Sequence, residues 1–287
     1  MYQIVTKKVL NPTIVQMEIL APLVAQKAKA GQFIILRVDE AGERIPLTVA
    51  GPNPENGTVK IIFQIVGATT EKLNQKSAGE YIEDFVGPLG VPTKIEHLKK
   101  VCVVGGGVGC AIALPVAEAL KKQGAKVTSI IGFRSQDLVI LEDEFFACSD
   151  KLIVMTDDGS YGAKGNVTLP LKELLEGGER FDEIITIGPL VMMKFVTLTA
   201  EPYQIPVTAS MNPIMIDGTG MCGGCRLTLK QDGKRVTKFA CIDGPDFNAY
   251  EIDFDEAISR GRMYLDYERE AHKSACNLFQ KARGGKN

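Results

Sequence analysis

Four residues near the C-terminal end constrain this chain more than any others. The run Asp217-Gly-Thr-Gly-Met-Cys222-Gly-Gly-Cys225 is followed sixteen positions later by Cys241. With a cysteine in place of Asp217 the spacing would be C-x4-C-x2-C…C, the plant-type frame for a [2Fe–2S] cluster. Such a cluster needs close backbone N–H donors and little side-chain bulk, which Gly218, Gly220, Gly223 and Gly224 supply. The alternative is a structural zinc held by three thiolates and a carboxylate. Zinc ribbons usually bring two C-x2-C pairs, and this chain has one. Three plain buried cysteines are a third reading, against which the glycine-packed loop argues.

The remaining composition narrows the class. At 287 residues the chain has room for about two domains of ordinary size. A net charge of −2 carries no polybasic signature, so nucleic acid is not an expected partner. The first eight residues, Met1-Tyr-Gln-Ile-Val-Thr-Lys-Lys, lack the apolar stretch of a signal peptide. No apolar run is long enough to span a membrane. Seven cysteines without a secretory signal fit a reducing compartment, so the expected location is cytoplasmic. Cys102, Cys110 and Cys148 lie in apolar or small-residue surroundings and read as core, and Cys276 receives no role.

Hydrophobic patterning divides the chain. Residues 1–98 read as short strands with frequent turns. Thr13–Leu20 alternates, Gln32–Val38 and Thr58–Val66 are β-branched runs, and Asn53-Pro-Glu-Asn-Gly57 is a turn. These features predict a small antiparallel barrel. Over 99–213 the pattern becomes strand, glycine turn, helix, strand. Lys100–Val104 runs into Gly105-Gly-Gly-Val-Gly109 and a helix through Gln123, and Lys126–Ile131 follows. Strands at Leu152–Met155 and Glu183–Ile187, with helices at Leu169–Glu176 and Val191–Thr199, extend a parallel sheet. Residues 214–250 hold the cysteine loop and a hairpin, Arg226–Ala240, turning at Asp232-Gly233. That hairpin is what returns Cys241 to Cys225. Residues 251–287 read as a charged helical tail.

Three further stretches carry chemistry. The glycine run 105–109 follows a strand and opens a helix, the context for a dinucleotide pyrophosphate, although Cys110 stands where G-x-G-x-x-G ends in glycine. Its bland reading is a tight turn needing glycine for geometry alone. Gly188-Pro-Leu-Val-Met-Met193 and Asp157-Asp-Gly-Ser-Tyr-Gly162 also follow strands, which puts them on the same carboxyl-end rim. In the barrel, Arg44-Ile-Pro-Leu-Thr48 offers an arginine and a hydroxyl on alternate sides of an extended run, for a phosphate and a ring polar atom. Gly67-Ala-Thr-Thr70 offers a helix start for a second phosphate.

Barrel, dinucleotide sheet, then cysteine loop is an order that resembles the iron–sulfur flavoprotein branch of the ferredoxin–NADP⁺ reductase superfamily. The resemblance covers roughly residues 1–250. It is nearest the small subunits of NADH-dependent ferredoxin:NADP⁺ oxidoreductases and sulfide dehydrogenases, with dihydroorotate dehydrogenase electron-transfer subunits further off. The implied fold is β + α/β: an FAD-binding barrel, a Rossmann-like nucleotide domain and a C-terminal [2Fe–2S] loop and hairpin. The resemblance implies FAD on Arg44, Pro46, Leu47 and Thr48, with its phosphates near Val66, Gly67, Thr69 and Thr70. It implies a nicotinamide nucleotide on Gly105, Gly106, Gly107, Val108 and Gly109, to which Arg134, Asp157 and Asp158 are added as candidates by their place after strands on the same rim. Gly188, Pro189 and Met192 match a Cys-Gly-Pro-x-x-Met motif in which Ile187 replaces the cysteine. Asp217, Cys222, Cys225 and Cys241 are the implied metal ligands. Aspartate at the first position resembles the bifurcating branch.

The implied activity is hydride exchange between NAD(H) and FAD, followed by single-electron transfer through the cluster. No side chain need act as acid or base, since the cofactors carry the reaction. The two histidines, His97 and His272, have no partner nearby in sequence. The implied partner is a larger flavin and [4Fe–4S] subunit, through which ferredoxin is reached. An electron-transfer subunit of NAD-dependent dihydroorotate dehydrogenase is the second reading, and a zinc-stapled scaffold the third. NAD(H) is the expected nucleotide, while Arg134 with Ser135 leaves NADP(H) open.

Overall fold

The computed structural model describes residues 1–263. The first seven strands are β1 (Tyr2–Asn11), β2 (Ile14–Leu20), β3 (Phe33–Arg37), β4 (Arg44–Asn53), β5 (Thr58–Gln64), β6 (Tyr81–Ile82) and β7 (Asp84–Leu89). They pair antiparallel in the order β6-β1-β2-β5-β4-β3-β7. The two edge strands are separated in sequence by Glu83 alone, so the sheet curls until its edges meet. Alternation explains the interior. Along β2, Val15, Met17 and Ile19 point inward with Ile34, Leu36, Ile61 and Phe63 of the neighbouring strands. A single turn, α1 (Pro22–Ala25), and α2 (Ala68–Gln75) cap the barrel.

The second sheet is built from β8 (Lys100–Gly106), β9 (Lys126–Phe133), β10 (Lys151–Thr156), β11 (Ala163–Lys164), β12 (Glu183–Ile187) and β13 (Val207–Ser210). Its order is β11-β10-β9-β8-β12-β13, all parallel. Near-continuous apolar strands are what a sheet covered on both faces requires. The covering helices are α3 (Cys110–Lys122), α4 (Glu142–Cys148), α5 (Thr168–Glu176) and α6 (Leu190–Ala200). Cys102 and Cys110 are fully buried and Cys148 nearly so, as their surroundings predict. Burial pushes all three thiols up, so they behave as apolar side chains.

The cysteine segment is not a separate globule. The hairpin of β14 (Arg226–Gln231) and β15 (Lys234–Phe239) turns at Asp232 and Gly233, both with positive φ. The single turn α7 (Ala240–Asp243) carries Cys241, and β16 (Asp246–Asn248) then pairs antiparallel with β13. The parallel sheet therefore gains a seventh strand from beyond the cysteine loop, an addition that sequence pattern does not reveal. Cys225, Leu227 and Leu229 share one core with Val104 and Ile184 of the sheet and Phe33 and Ile35 of the barrel. Within the expected helical tail, 251–287, the described residues form α8 (Phe254–Gly261), ion-paired to α6 through Lys194 and Asp255 at 2.6 Å. Residues 264–287, with His272 and Cys276, lie outside the described residues.

Asn11 ties barrel to sheet. Its side-chain oxygen accepts from the N–H groups of Thr13 and Ile14, and its amide donates to the Leu138 carbonyl at 3.1 Å. Removing a buried side chain that satisfies three backbone groups strands them all. Asn11→Ala is expected to lower the unfolding free energy by about 1–3 kcal/mol in chemical denaturation.

Candidate functional site

The strand order reverses at β8, with β9 on one side and β12 on the other. A parallel sheet opens a crevice where its order reverses, at the carboxyl ends of those strands. The barrel closes that crevice into a cavity of about 1030 Å³. This exceeds the roughly 300–1,000 Å³ usual for one small ligand.

Gly106, Gly107, Val108 and Gly109 form one wall. Gly109 is required by close approach, since a Cβ there would fall 2.5 Å from the Ile187 carbonyl oxygen. Gly105 lies behind this wall within β8. Gly188, Pro189 and Met192 face the glycine turn from the β12 side, and the Met192 sulfur sits directly over Gly106. Ile187, at the position of the motif cysteine, also lines the cavity.

The barrel supplies the opposite wall through Pro46, Leu47 and Thr48 of β4, with Val66 and Thr70 below them. Arg44, Pro46 and Thr48 are two apart along one strand and so share a face. That corrects the expectation of alternate sides. Arg44 lies outside the lining, half-exposed and 3.9 Å from Asp84, whose nearer partner is Arg37 at 2.7 Å. Thr70 receives the N–H groups of Val66 and Gly67, at 3.0 and 3.1 Å, which fixes the start of α2. Gly67 and Thr69 stand outside the lining, and the Thr69 hydroxyl donates to Glu43 at 3.0 Å.

At the rim, Arg134 and Asp157 both line the cavity, side by side at the ends of paired β9 and β10. Asp158 does not, and its carboxylate is held below the usual range by Ser160. The Ser135 hydroxyl donates to Asp137 at 2.5 Å. The Ser135 hydroxyl is thus paired with a carboxylate, while Arg134 lines the cavity.

Sequence reasoning missed the last wall. Ser210 ends β13, Met211, Asn212 and Met215 follow it, and Ile258 of α8 and Arg262 just beyond it line the cavity as well. The carboxyl-end rule would have found the first group had β13 been recognised. Four residues ending near Pro213 give too short a pattern.

The cysteine loop begins two residues beyond Met215. Gly218, at φ +74°, presses against the barrel, and a Cβ there would lie 2.6 Å from Leu89. The candidate ligands form two pairs. The Cys225 and Cys241 sulfurs are 3.1 Å apart, both buried and free of disulfide. Asp217 accepts the backbone N–H of Cys222 at 2.8 Å, and its carboxyl is held below the usual range by the Thr219 N–H, with Cys222 adding to it. Burial and the Cys225 sulfur push the Cys241 thiol up to about 12. Among the described residues no three His, Cys, Asp or Glu side chains converge on one point. A single zinc ion would need all four ligands at one point, whereas two pairs suit a binuclear centre. The residues thus fit a [2Fe–2S] group, whose cationic irons would displace the Cys241 proton.

Barrel, dinucleotide sheet and paired-ligand loop follow one another along the chain and meet around one cavity. The iron–sulfur cluster binding domain of dihydroorotate dehydrogenase B matches residues 212–253. A Thermotoga maritima dihydroorotate dehydrogenase B (NAD(+)) electron transfer subunit homolog is 46% identical, over 92% of this chain and 90% of its own length. The Streptococcus pneumoniae electron transfer subunit of the same enzyme is 32% identical, over 85% of this chain and 97% of its own. A solved chain of an NADH-dependent reduced ferredoxin-NADP oxidoreductase superposes with a TM-score of 0.89 and 44% identity, covering 98% of each chain. The cytochrome b5 reductase domain of Ulva prolifera nitrate reductase shares the fold at a TM-score of 0.58 and 15% identity. The chain belongs to the family of dihydroorotate dehydrogenase B electron transfer subunits and their homologues.

Gly109→Ala is expected to weaken dinucleotide binding while leaving the barrel wall intact. Calorimetric titration with NADH checks this: affinity should fall, and flavin content should not.

Proposed function

We propose that the chain is the electron-transfer subunit of a bifurcating NADH-dependent ferredoxin:NADP⁺ oxidoreductase. The observation that carries this reading is the two-pair ligand set of Asp217, Cys222, Cys225 and Cys241 beside a cavity of about 1030 Å³ walled by both the barrel and the dinucleotide sheet. Bound FAD and the [2Fe–2S] cluster supply the conversion of a hydride pair into single electrons. The chain's own residues position the parts.

Pro46, Leu47 and Thr48 form a flat strand surface for a flavin ring. The loosely held Arg44 is free to reach a phosphate, for which an arginine fork is well suited. The single helical turn Gly107–Gly109, which leads into α3, directs its N–H end at the pyrophosphate of NAD(H). Gly188, Pro189 and Met192 exclude water at the nicotinamide end. Commitment of Ser135 to Asp137, and the carboxylate of Asp157 beside Arg134, favour NAD(H) over a nucleotide carrying a 2′-phosphate.

The partner is a larger flavin and [4Fe–4S] subunit, and through it ferredoxin. The cysteine loop supports this, since Met221 is 89% exposed and Ile214, Ile216 and Ile242 around it are exposed as well. Apolar groups gathered at an electron exit suit a protein surface better than water. A subunit of dihydroorotate dehydrogenase is the second reading, favoured by the cluster-domain match over 212–253. Against it stands the carboxylate of Asp217 at the first ligand position, together with a superposition on the ferredoxin-NADP oxidoreductase chain that covers 98% of each chain.

Rapid mixing tests the proposal. NADH should bleach flavin absorption in the purified chain faster than NADPH, with iron–sulfur bleaching following. A colourless, zinc-containing protein would overturn the reading. Asp217→Cys should keep a cluster with an altered EPR signal, and Cys225→Ala should lose most of the iron. An unaltered signal in Asp217→Cys would remove Asp217 from the ligand set.

A further inference from the structure

Asp246 is an expensive residue for its place. It sits on β16, directly opposite Ser210 of β13. Its Oδ1 is shut from solvent and has no hydrogen-bond partner among the described residues. Burial pushes the carboxyl up, opposed by the Thr93 and Ser210 hydroxyls. Burying a carboxyl with one oxygen unsatisfied costs stability, and an unsatisfied group in a native fold calls for an explanation.

What the carboxyl holds supplies one. The Thr93 hydroxyl donates to Asp246 Oδ2 at 2.6 Å. Thr93 is buried on the link that leaves the barrel, and its N–H donates to Ala30 at 3.0 Å. The same two stretches are joined again by the Val91 N–H, which donates to the Gly244 carbonyl at 2.7 Å. From the other side, the Met211 N–H donates to the Pro245 carbonyl at 2.9 Å. Asp246 therefore stands where the barrel exit, the cavity wall at Ser210 and the segment behind Cys241 meet. On the far side of the loop, Gly218 rests on Leu89 and Ile35. The metal-binding segment is held to the barrel at two places, and Thr93–Asp246 is the side-chain contact in one of them.

We propose that Asp246, through Thr93, is a positioning residue that fixes the iron-binding segment against the barrel and so sets the path of electrons from the cavity to the cluster. The proposal rests on the electron-transfer reading above. Neither residue lines the cavity or ligates metal. Loss of the clasp lets the Cys241 segment shift while the glycine turn and the β4 wall stay in place. Hydride entry is then spared and electron exit is slowed.

The test uses the full chain loaded with flavin and iron, in the variants Thr93→Val, Asp246→Ala and Asp246→Asn. NADH is mixed rapidly, and flavin and cluster reduction are followed separately by absorbance and freeze-quench EPR. Thr93→Val and Asp246→Ala should retain flavin, iron and the rate of flavin bleaching. Cluster reduction should slow by roughly tenfold or more, as small misplacements do to steps that depend on fixed geometry. Hydrogen exchange at the Val91 and Met211 amides should quicken in both. Asp246→Asn should restore the rate, because an amide oxygen still accepts from Thr93. Cluster reduction at the normal rate in Thr93→Val and Asp246→Ala would overturn the proposal. So would an Asp246→Asn chain as slow as Asp246→Ala, since charge rather than the clasp would then matter. Should Asp246→Ala not fold, Thr93→Val against Asp246→Asn decides by the same criterion. A native chain whose flavin NADH fails to reduce would instead sink the functional reading.

Discussion

The Cys225 and Cys241 sulfurs meet at 3.1 Å because a two-residue turn at Asp232 and Gly233 brings the chain back beside itself. Without that return the loop holds three candidate ligands and no fourth. The return also has a second end. Beyond Cys241 the chain does not leave but enters the parallel sheet as β16, and α8 then closes over α6. The metal-binding loop is thus pinned on both flanks, at β13 before it and β16 after it. A cluster that exchanges electrons with a neighbouring site needs this, since a ligand loop free at either end would wander relative to its donor.

The pairing of ligands matters more than their number. Cys225 and Cys241 are buried together, while Cys222 is exposed and Asp217 half-exposed. One metal position would be held by two thiolates in apolar surroundings. The other would be held by a thiolate and a carboxylate close to water. A carboxylate retains the anionic charge of the thiolate it replaces but offers a harder oxygen donor. Two positions with different ligands and different solvation are inequivalent by construction, which gives an entering electron a preferred side.

Much of this was legible from residues. Glu183–Ile187 reads as a strand because it is a short β-branched run closed by Gly188-Pro189, and the strand occupies those residues. The hairpin turn and the glycine turn announce themselves through residues that few other conformations require. What stayed hidden has a common cause. Along β1 only Ile4 and Asn11 are buried, so its ten residues show no clear alternation. At three and four residues, β16 and β13 are too short to carry a period. The cavity wall they build at Ser210 to Met215 was missed with them. Arg44 and Thr48 were read as a motif, but their shared face follows only once β4 is seen to run unbroken through Pro46. Asp246 could not be read at all, because its meaning lies in Thr93, which is 153 positions away.

In the proposed centre, Asp217 with Cys222 and Cys225 with Cys241 would hold two irons in two unlike pairs. Mössbauer spectroscopy of the ⁵⁷Fe-loaded chain tests it most directly. Two iron sites in equal amounts with resolvably different quadrupole doublets are expected, one from the buried dithiolate pair and one from the aspartate–thiolate pair. A single metal per chain, or one doublet from two equivalent irons, would contradict it.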